Sequence, residues 1–211
     1  MTEYKFTEDW FGWAPDVWTQ LIPVMPERKK FLEIGSFEGR STTWIVENML
    51  ADDAEGASVV CIDTWEGGEE HSEQDMEAVF ERFSHNRRIA QERYWMRTKN
   101  ENAQFVVETV KGRSSKVLPH LTANWDKGNL AFDFIYIDGS HIAKDVLTDA
   151  CMAWPLLKPL GIMVFDDYLW TPHPRDILHR PKMAIDAFTN IFAEELEFVH
   201  IGYQIIIRKK G

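Results

Sequence analysis

Two glycines four residues apart, Gly35 and Gly39, separate a short apolar run at residues 31–34 from a helical pattern that opens at Ser41. Glycine adopts backbone conformations that other residues avoid, and the absence of a side chain lets the backbone approach a ligand closely. The sequence therefore predicts a strand, a tight glycine turn and a helix start in that order. This arrangement is typical of ligand-binding turns at the edge of a parallel sheet.

Acidic residues stand at the ends of later apolar runs. They are Asp63, Asp138, Asp166 and Asp167. In a chain that alternates strands and helices, the carboxyl ends of parallel strands meet at one edge of the sheet. These four acids are therefore predicted to lie along a single cleft.

Alternating apolar runs and helical patterns continue through most of the chain. Strands are predicted at residues 31–34, 58–62, 104–110, 132–137, 162–165, 196–201 and 203–207, with helical patterns at 79–97, 114–121, 142–157 and 183–192. The last two strands flank a glycine and are predicted to form an antiparallel hairpin. The pattern predicts one α/β domain over residues 30–211, with a seven-stranded, mostly parallel sheet.

Residues 1–29 are predicted to form an N-terminal arm outside this repeat. The arm is interrupted by prolines and carries Trp10, Trp13 and Trp18. Such an aromatic arm would serve either as a substrate lid or as a subunit contact, and a subunit contact would make the protein a homodimer. The sequence does not choose between the two.

Composition narrows the classes of partner. The net charge of −11 over 211 residues disfavours nucleic acid as a partner, because neutralising phosphates requires clustered Lys and Arg. No apolar run reaches the roughly 18 residues that span a bilayer, and the start of the chain lacks a signal pattern, so a cytoplasmic protein with no membrane partner is expected. Cys61 and Cys151 are predicted to be buried free thiols.

The segment from Glu33 to Thr42 resembles the first motif of the small-molecule O-methyltransferases, which use S-adenosylmethionine. These class I enzymes include the catechol and caffeoyl-coenzyme A groups and a bacterial macrolide O-methyltransferase type, and they have an aromatic residue between the two glycines, as Phe37 is here. The nicotinamide fingerprint is absent, because Phe37 stands where its second glycine belongs. The resemblance implies a Rossmann-like methyltransferase fold.

The resemblance also implies which residues bind S-adenosylmethionine. Asp63 would accept hydrogen bonds from the ribose hydroxyls, and the loop after the third strand would contact adenine, although Arg113 departs from the acid often found there. Trp65 would either pack on the adenine edge or belong to the core. The full set is Glu33, Gly35, Ser36, Gly39, Ser41, Asp63, Trp65, Gly112, Arg113, Ser114 and Asp138.

In the metal-dependent members, acids at the positions of Asp138, Asp166 and Asp167 hold Mg²⁺, and a general base matches His141. Oxygen ligands suit Mg²⁺, and an imidazole suits proton removal at neutral pH. Asp138 and His141 are thus the predicted catalytic residues. The alternatives are acids without a metal and a histidine that only begins a helix.

The resemblance therefore implies methyl transfer from S-adenosylmethionine to an oxygen of a small-molecule acceptor, with possible assistance from Mg²⁺. Alternatives are a metal-independent transfer to another atom and a non-catalytic S-adenosylmethionine-binding protein. A nicotinamide or nucleotide-sugar enzyme and a methyltransferase acting on protein or nucleic acid are further alternatives. Nothing in the sequence identifies the acceptor.

Overall fold

The computed structural model of the protein describes residues 3–52, 56–68, 71–99, 106–123, 131–172 and 175–211. The strands in these ranges are β1 (Lys30–Ile34), β2 (Ser58–Asp63), β3 (Val107–Lys111), β4 (Phe132–Ile137), β5 (Leu157–Phe165), β6 (Leu196–Ile201) and β7 (Ile205–Lys209). The α-helices are α1 (Ala14–Trp18), α2 (Arg40–Trp44), α3 (Met76–Thr98), α4 (Ser114–Ala123), α5 (Ala143–Ala153) and α6 (Pro181–Ile191). Helix α2 continues as a π-helical turn, and short 3-10 turns lie at Ile22–Val24, Trp154–Leu156 and Ile177–His179.

The strands form one sheet in the order β3-β2-β1-β4-β5-β7-β6. Strands β1 to β5 pair in parallel, and β7 runs antiparallel to both β5 and β6. The strand order reverses between β1 and β4, which is where open α/β sheets bind ligands. The predicted α/β fold, with a mostly parallel seven-stranded sheet and a C-terminal antiparallel hairpin, is confirmed.

Successive residues of the central strands pack on opposite faces of the sheet. On β4, Phe134 and Tyr136 join the core layer under the N-terminal arm, α2 and α3, whereas Ile135 and Ile137 join the layer under α4, α5 and α6. All of β4 is buried. Because helices cover both faces, the strand carries a nearly continuous apolar sequence instead of an alternating one.

Trp18 anchors the N-terminal arm in the core. Its side chain is 0% exposed, and its ring meets that of Tyr136 edge-on at 4.8 Å. The indole Nε1 donates a 2.7 Å hydrogen bond to Oε1 of Gln204, just before β7. Trp10 and Trp13, in contrast, are 54% and 37% exposed. The arm is thus divided into a core anchor and an exposed stretch that borders the carboxyl ends of the strands.

The structure departs from the sequence pattern mainly at the ends of elements. Strand β5 begins at Leu157, five residues before its predicted start, because the expected stop at residues 158–161 is an irregularity inside the strand. Its pairing with β4 shifts there, and Leu160 has a φ of 65°. Helix α3 begins three residues early, because the Asp75 carboxylate accepts hydrogen bonds from the amides of Glu77 and Ala78.

The two cysteines differ in burial. Cys61 is buried, as predicted, whereas Cys151 is exposed and that prediction is wrong. The buried face of α5 includes Val146, Ala150 and Ala153, and Cys151 lies off that face. Residues 104–105, the predicted start of the third strand, lie outside the described ranges. Within those ranges, every helix is too short or too polar to cross a bilayer.

We expect Trp18→Ala to lower the free energy of unfolding by about 3–5 kcal/mol, the range for removing a fully buried aromatic side chain. Urea unfolding at neutral pH measures the loss. The matched control is Trp95→Ala, since Trp95 is 48% exposed on α3 and should cost less than about 1 kcal/mol. Equal losses in the two variants would show that the arm is not anchored through Trp18.

Candidate functional site

A cavity of about 960 Å³ opens at the carboxyl ends of the parallel strands. This volume is within the usual range for small-molecule sites, roughly 300–1,000 Å³. The cavity brings together most of the residues predicted from the sequence, namely Gly35, Ser36, Ser41, Asp63, Gly112, Arg113, Ser114, Asp138, His141, Asp166 and Asp167. Glu33, Gly39 and Trp65 are not among its lining residues.

The glycine turn is held tightly between two strand ends. Gly35 has a φ of +88°, and a Cβ added there would lie 2.0 Å from the backbone oxygen of Asp138. The amide of Gly35 donates a 2.8 Å hydrogen bond to the carbonyl of Ile62. No side chain larger than hydrogen fits this position, so the glycine is required by packing as well as by conformation.

Glu33 lies behind the turn, fully buried. Its carboxylate accepts hydrogen bonds from the hydroxyls of Ser36 at 2.8 Å and Ser41 at 2.5 Å, and from the hydroxyl of Thr42. The thiol of Cys61 also donates to it, at 3.4 Å. Burial raises the pKa of Glu33, and the three hydroxyls oppose that shift. Glu33 therefore fixes the turn from behind instead of facing the cavity.

Asp63 joins the end of β2 to the glycine turn. Its Oδ2 accepts hydrogen bonds from the amides of Ser36 and Phe37, each at 2.9 Å, and its Oδ1 accepts one from the amide of Trp65 at 2.7 Å. A carboxylate has about four acceptor positions. Asp63 can therefore hold the turn and still accept a hydrogen bond from a ligand in the cavity.

Trp65 and Gly39 lie outside the cavity wall. Trp65 is 3% exposed, packs against Phe80 and Phe83 at 4.8 Å, and donates from Nε1 to the carbonyl of Phe37 at 2.9 Å. Gly39 precedes α2 with a φ of 79°. Of the two positions considered for Trp65, the structure places its side chain in the core.

Tyr136 brings two of the acids together. Its hydroxyl lies 3.0 Å from Oδ2 of Asp138 and also hydrogen-bonds Oδ2 of Asp166. Burial, followed by the charge of Asp166, raises the pKa of Asp138 well above its usual range. Burial and the neighbouring Asp167 raise the pKa of Asp166 to about 6. This phenol was not predicted from the sequence pattern, because Tyr136 lies in a strand whose residues all fit the core.

His141 and Asp167 form the polar pair next to these acids. The two side chains are joined by a 2.7 Å contact between Nε2 of His141 and Oδ2 of Asp167. Tyr203, from the loop before β7, donates its hydroxyl to Oδ1 of Asp167 at 2.8 Å. The ring of Trp170 stacks on the imidazole at 3.9 Å. The imidazole is thus oriented from two sides, by a carboxylate and by an aromatic face.

The three acids predicted to hold Mg²⁺ are engaged differently in this structure. Among the described residues, no group of three or more His, Cys, Asp or Glu side chains is placed to hold a metal ion. Asp138 and Asp166 share the hydroxyl of Tyr136, and Asp167 faces His141. In this arrangement the acids do not fit a cation.

Asp149 is a cavity residue that the sequence pattern did not single out. It is 2% exposed on the inner face of α5, where it hydrogen-bonds Ser114. Burial raises the pKa of its carboxyl to about 6. One sequence feature could have identified Asp149 as a site residue. It is an acid that shares the apolar face of a helix with Val146 and Ala150.

The exposed stretch of the N-terminal arm supplies an aromatic side to the cavity. The ring of Trp10 lies 5.0 Å from that of Phe37 and 5.8 Å from that of His71. Trp13 meets the ring of Tyr203 edge-on at 5.3 Å. All five of these residues line the cavity, so the arm contributes directly to the site.

Three residues near the strand ends have left-handed backbone conformations that are unusual for non-glycine residues. Phe37, Trp65 and Asp167 have φ values of 46°, 47° and 57°. Such conformations cost on the order of 1–3 kcal/mol each and cluster at functional sites. Here all three lie in the turns that follow β1, β2 and β5.

A family model described as a methyltransferase domain matches residues 32–168. The O-methyltransferase TomG from Streptomyces achromogenes, involved in tomaymycin synthesis and solved with SAM, is similar in structure. It aligns with a TM-score of 0.65 and 18% identity, covering 94% of this chain and 80% of TomG.

Other solved structures are alike in fold. An O-methyltransferase from Bacillus cereus, solved with SAH, aligns with a TM-score of 0.60 and 19% identity over 97% of this chain and 84% of its own. The calicheamicin methyltransferase CalS11 aligns with a TM-score of 0.65 and 13% identity, covering 95% of this chain and 80% of CalS11. A comparison with curated proteins finds no match.

We expect Asp149→Asn to stabilise the protein at pH 7.5 by about 1–3 kcal/mol. The pKa of this carboxyl, about 6 in the folded state, exceeds the unfolded value of about 3.9. The folded chain therefore binds more protons than the unfolded chain between these values, and stability falls as the pH rises through this window. The neutral amide of asparagine removes the free-energy cost of keeping a buried carboxylate ionised at pH 7.5.

Urea unfolding at pH 4 and at pH 7.5 measures the effect, which should be present only at the higher pH. Glu108→Gln removes an exposed carboxylate from β3 and should leave stability within about 0.5 kcal/mol at both values. A gain of equal size at pH 4 would contradict the assignment to burial of the charge.

Proposed function

Because the chain belongs to the methyltransferase domain family, whose model matches residues 32–168, we propose that it transfers a methyl group from S-adenosylmethionine to an oxygen of a small-molecule acceptor. One observation carries the proposal. The glycine turn with Asp63 and the His141–Asp167 pair line the same cavity. A donor-binding turn and a proton acceptor are what such a transfer requires.

The donor would be bound at the turns after β1, β2 and β3. Gly35 and Ser36 present backbone, Asp63 presents a carboxylate to hydroxyl donors, and Ser114 lies across the cavity after β3. When bound, S-adenosylmethionine supplies a methyl group already activated by the positive charge on its sulfur. Support for this donor comes from the motif resemblance and from the structures of like fold solved with SAM or SAH.

The acceptor hydroxyl would lose its proton to His141. Nε2 of His141 lies 2.7 Å from Oδ2 of Asp167, so this carboxylate orients the imidazole that takes the proton. Asp167 then stabilises the imidazolium that forms, and Tyr203 holds Asp167 in place. The methyl group would thereby pass from the sulfur of the donor to an oxygen whose proton His141 holds.

Mg²⁺ enters no step of this proposal. Tyr136 lies between Asp138 and Asp166, and these residues act as a polar floor for the cavity. His141 activates the acceptor hydroxyl. Alignment of the acceptor oxygen with the methyl group lowers the rest of the activation barrier. Well-oriented intramolecular reactions gain up to roughly 7–11 kcal/mol in this way.

The first test is thermal unfolding with S-adenosylhomocysteine, run in EDTA and again in Mg²⁺. Ligand at a hundred times its Kd should add about 2.7 kcal/mol of stability, or roughly 5–10 °C. Asp63→Asn should weaken binding by about 1–3 kcal/mol, because a charged acceptor is lost. An unshifted Tm in both buffers would refute the donor class, and an additional rise with Mg²⁺ would restore the metal prediction.

We expect His141→Asn to lower turnover by roughly 10²-fold or more while leaving the affinity for S-adenosylhomocysteine unchanged. Release of S-adenosylhomocysteine in the presence of an acceptor pool measures turnover, and calorimetry measures affinity. His85→Asn is the matched control, since His85 lies on α3 away from the cavity wall. Binding of the donor without turnover in the wild-type protein would instead favour a non-catalytic binding protein.

A further inference from the structure

The cavity is strongly acidic for a small-molecule site. Among the described residues that line it, ten are Asp or Glu, two are Arg and none is Lys. The arginines are Arg40, after the glycine turn, and Arg113, after β3. Most of these acids are already engaged, for example Asp9 with Arg40, Glu38 with Arg82 and Asp63 with the amides of the glycine turn. Glu8 and Glu66 are among those left to face an acceptor.

Neither arginine is placed to bind an anionic acceptor beside His141. Arg40 pairs with Asp9 at 3.3 Å, lies 4.4 Å from the ring centre of Phe6, and donates to the carbonyl of Glu8. Arg113 follows β3, and the sheet order puts three strand spacings between β3 and β4. At about 4.8 Å per strand, this separation is roughly 14 Å.

Aromatic rings line the same part of the cavity as the acids. Trp170 stacks on His141, and Trp13 contacts Tyr203, whose hydroxyl is bonded to Asp167. Trp10 lies on the adjacent wall, more than half exposed. Aromatic faces attract cations through their quadrupole, and tryptophan does so most strongly. Aromatic rings with carboxylates close by are the chemistry that recognises an organic ammonium ion.

We propose that the acceptor is a hydroxylated amine that binds as an ammonium ion, and that anionic acceptors such as carboxylates and coenzyme A thioesters are excluded. This inference rests on the proposed function, because it assigns the acceptor of the same cavity. The hydroxyl would face His141, and the ammonium would lie between the aromatic rings of the arm and the rim acids Glu8 and Glu66. The proposal therefore excludes an acceptor of the caffeoyl-coenzyme A type for this chain.

Three probes with the same phenol ring separate charge from shape. Tyramine is cationic, 4-ethylphenol is neutral and 3-(4-hydroxyphenyl)propanoate is anionic. Calorimetry on the protein saturated with S-adenosylhomocysteine, at pH 7.5 and low salt, gives the three affinities. We expect tyramine to bind at least tenfold more tightly than the propanoate, with 4-ethylphenol between them, and coenzyme A to show no binding. Added salt should narrow the difference, because exposed charges are screened.

Variants locate the effect in the cavity. The double substitution Glu8→Gln/Glu66→Gln should lower the preference for tyramine over the propanoate by roughly three- to tenfold. Glu194→Gln makes the same chemical change at an exposed position near β6, outside the cavity, and should leave the preference unchanged. Trp13→Leu should weaken tyramine binding more than 4-ethylphenol binding, since it removes a ring that favours the cation.

Equal or tighter binding of the propanoate or of coenzyme A would overturn the inference. So would the failure of all three phenols to bind, because the aromatic rings and acids are proposed to recognise these groups directly. Binding of S-adenosylhomocysteine is measured first in the same samples. A protein that binds it but shows no preference for the cation rejects this inference alone, whereas a protein that does not bind it rejects the proposed function.

Discussion

A buried carboxylate behind the glycine turn is the interaction on which the site depends. Glu33 reaches back from β1 to hydroxyls of the turn and of α2, and these donors offset the cost of burying its charge. With the turn fixed, its amides donate to Asp63 at the end of β2, and Gly35 packs against the backbone after β4. Three strand ends thereby become one rigid unit, which is the condition for holding a reactive donor in a defined position.

The fold and most of the site follow from regular features of the sequence. Periodic apolar runs predict the strands, and parallel strands bring Asp63, Asp138 and Asp166 to one edge whatever their partners are. The hydrogen-bond partners of these side chains depend on tertiary packing, which cannot be derived from the linear sequence pattern. Tyr136 reads as a core residue because its strand is covered on both faces, and Trp18 reads as part of an arm although its indole is in the core.

The acids at the strand ends acquire different functions from different neighbours. Asp63 accepts backbone amides and stays with the turn, whereas Asp138 and Asp166 face each other across one phenol. Asp167 has a left-handed backbone conformation, and its carboxylate contacts the imidazole of His141. Residue type at a strand end therefore indicates a site, and only the contacts distinguish binding, structural and proton-transfer functions.

The hydrogen bond between Trp18 and Gln204 joins residues 186 positions apart. A ribosome synthesises a chain from its N-terminus, so Trp18 is made long before Gln204. The pocket for Trp18 is incomplete until β7 has entered the sheet, and the indole remains in water until then. The N-terminal arm therefore completes its folding only together with β7.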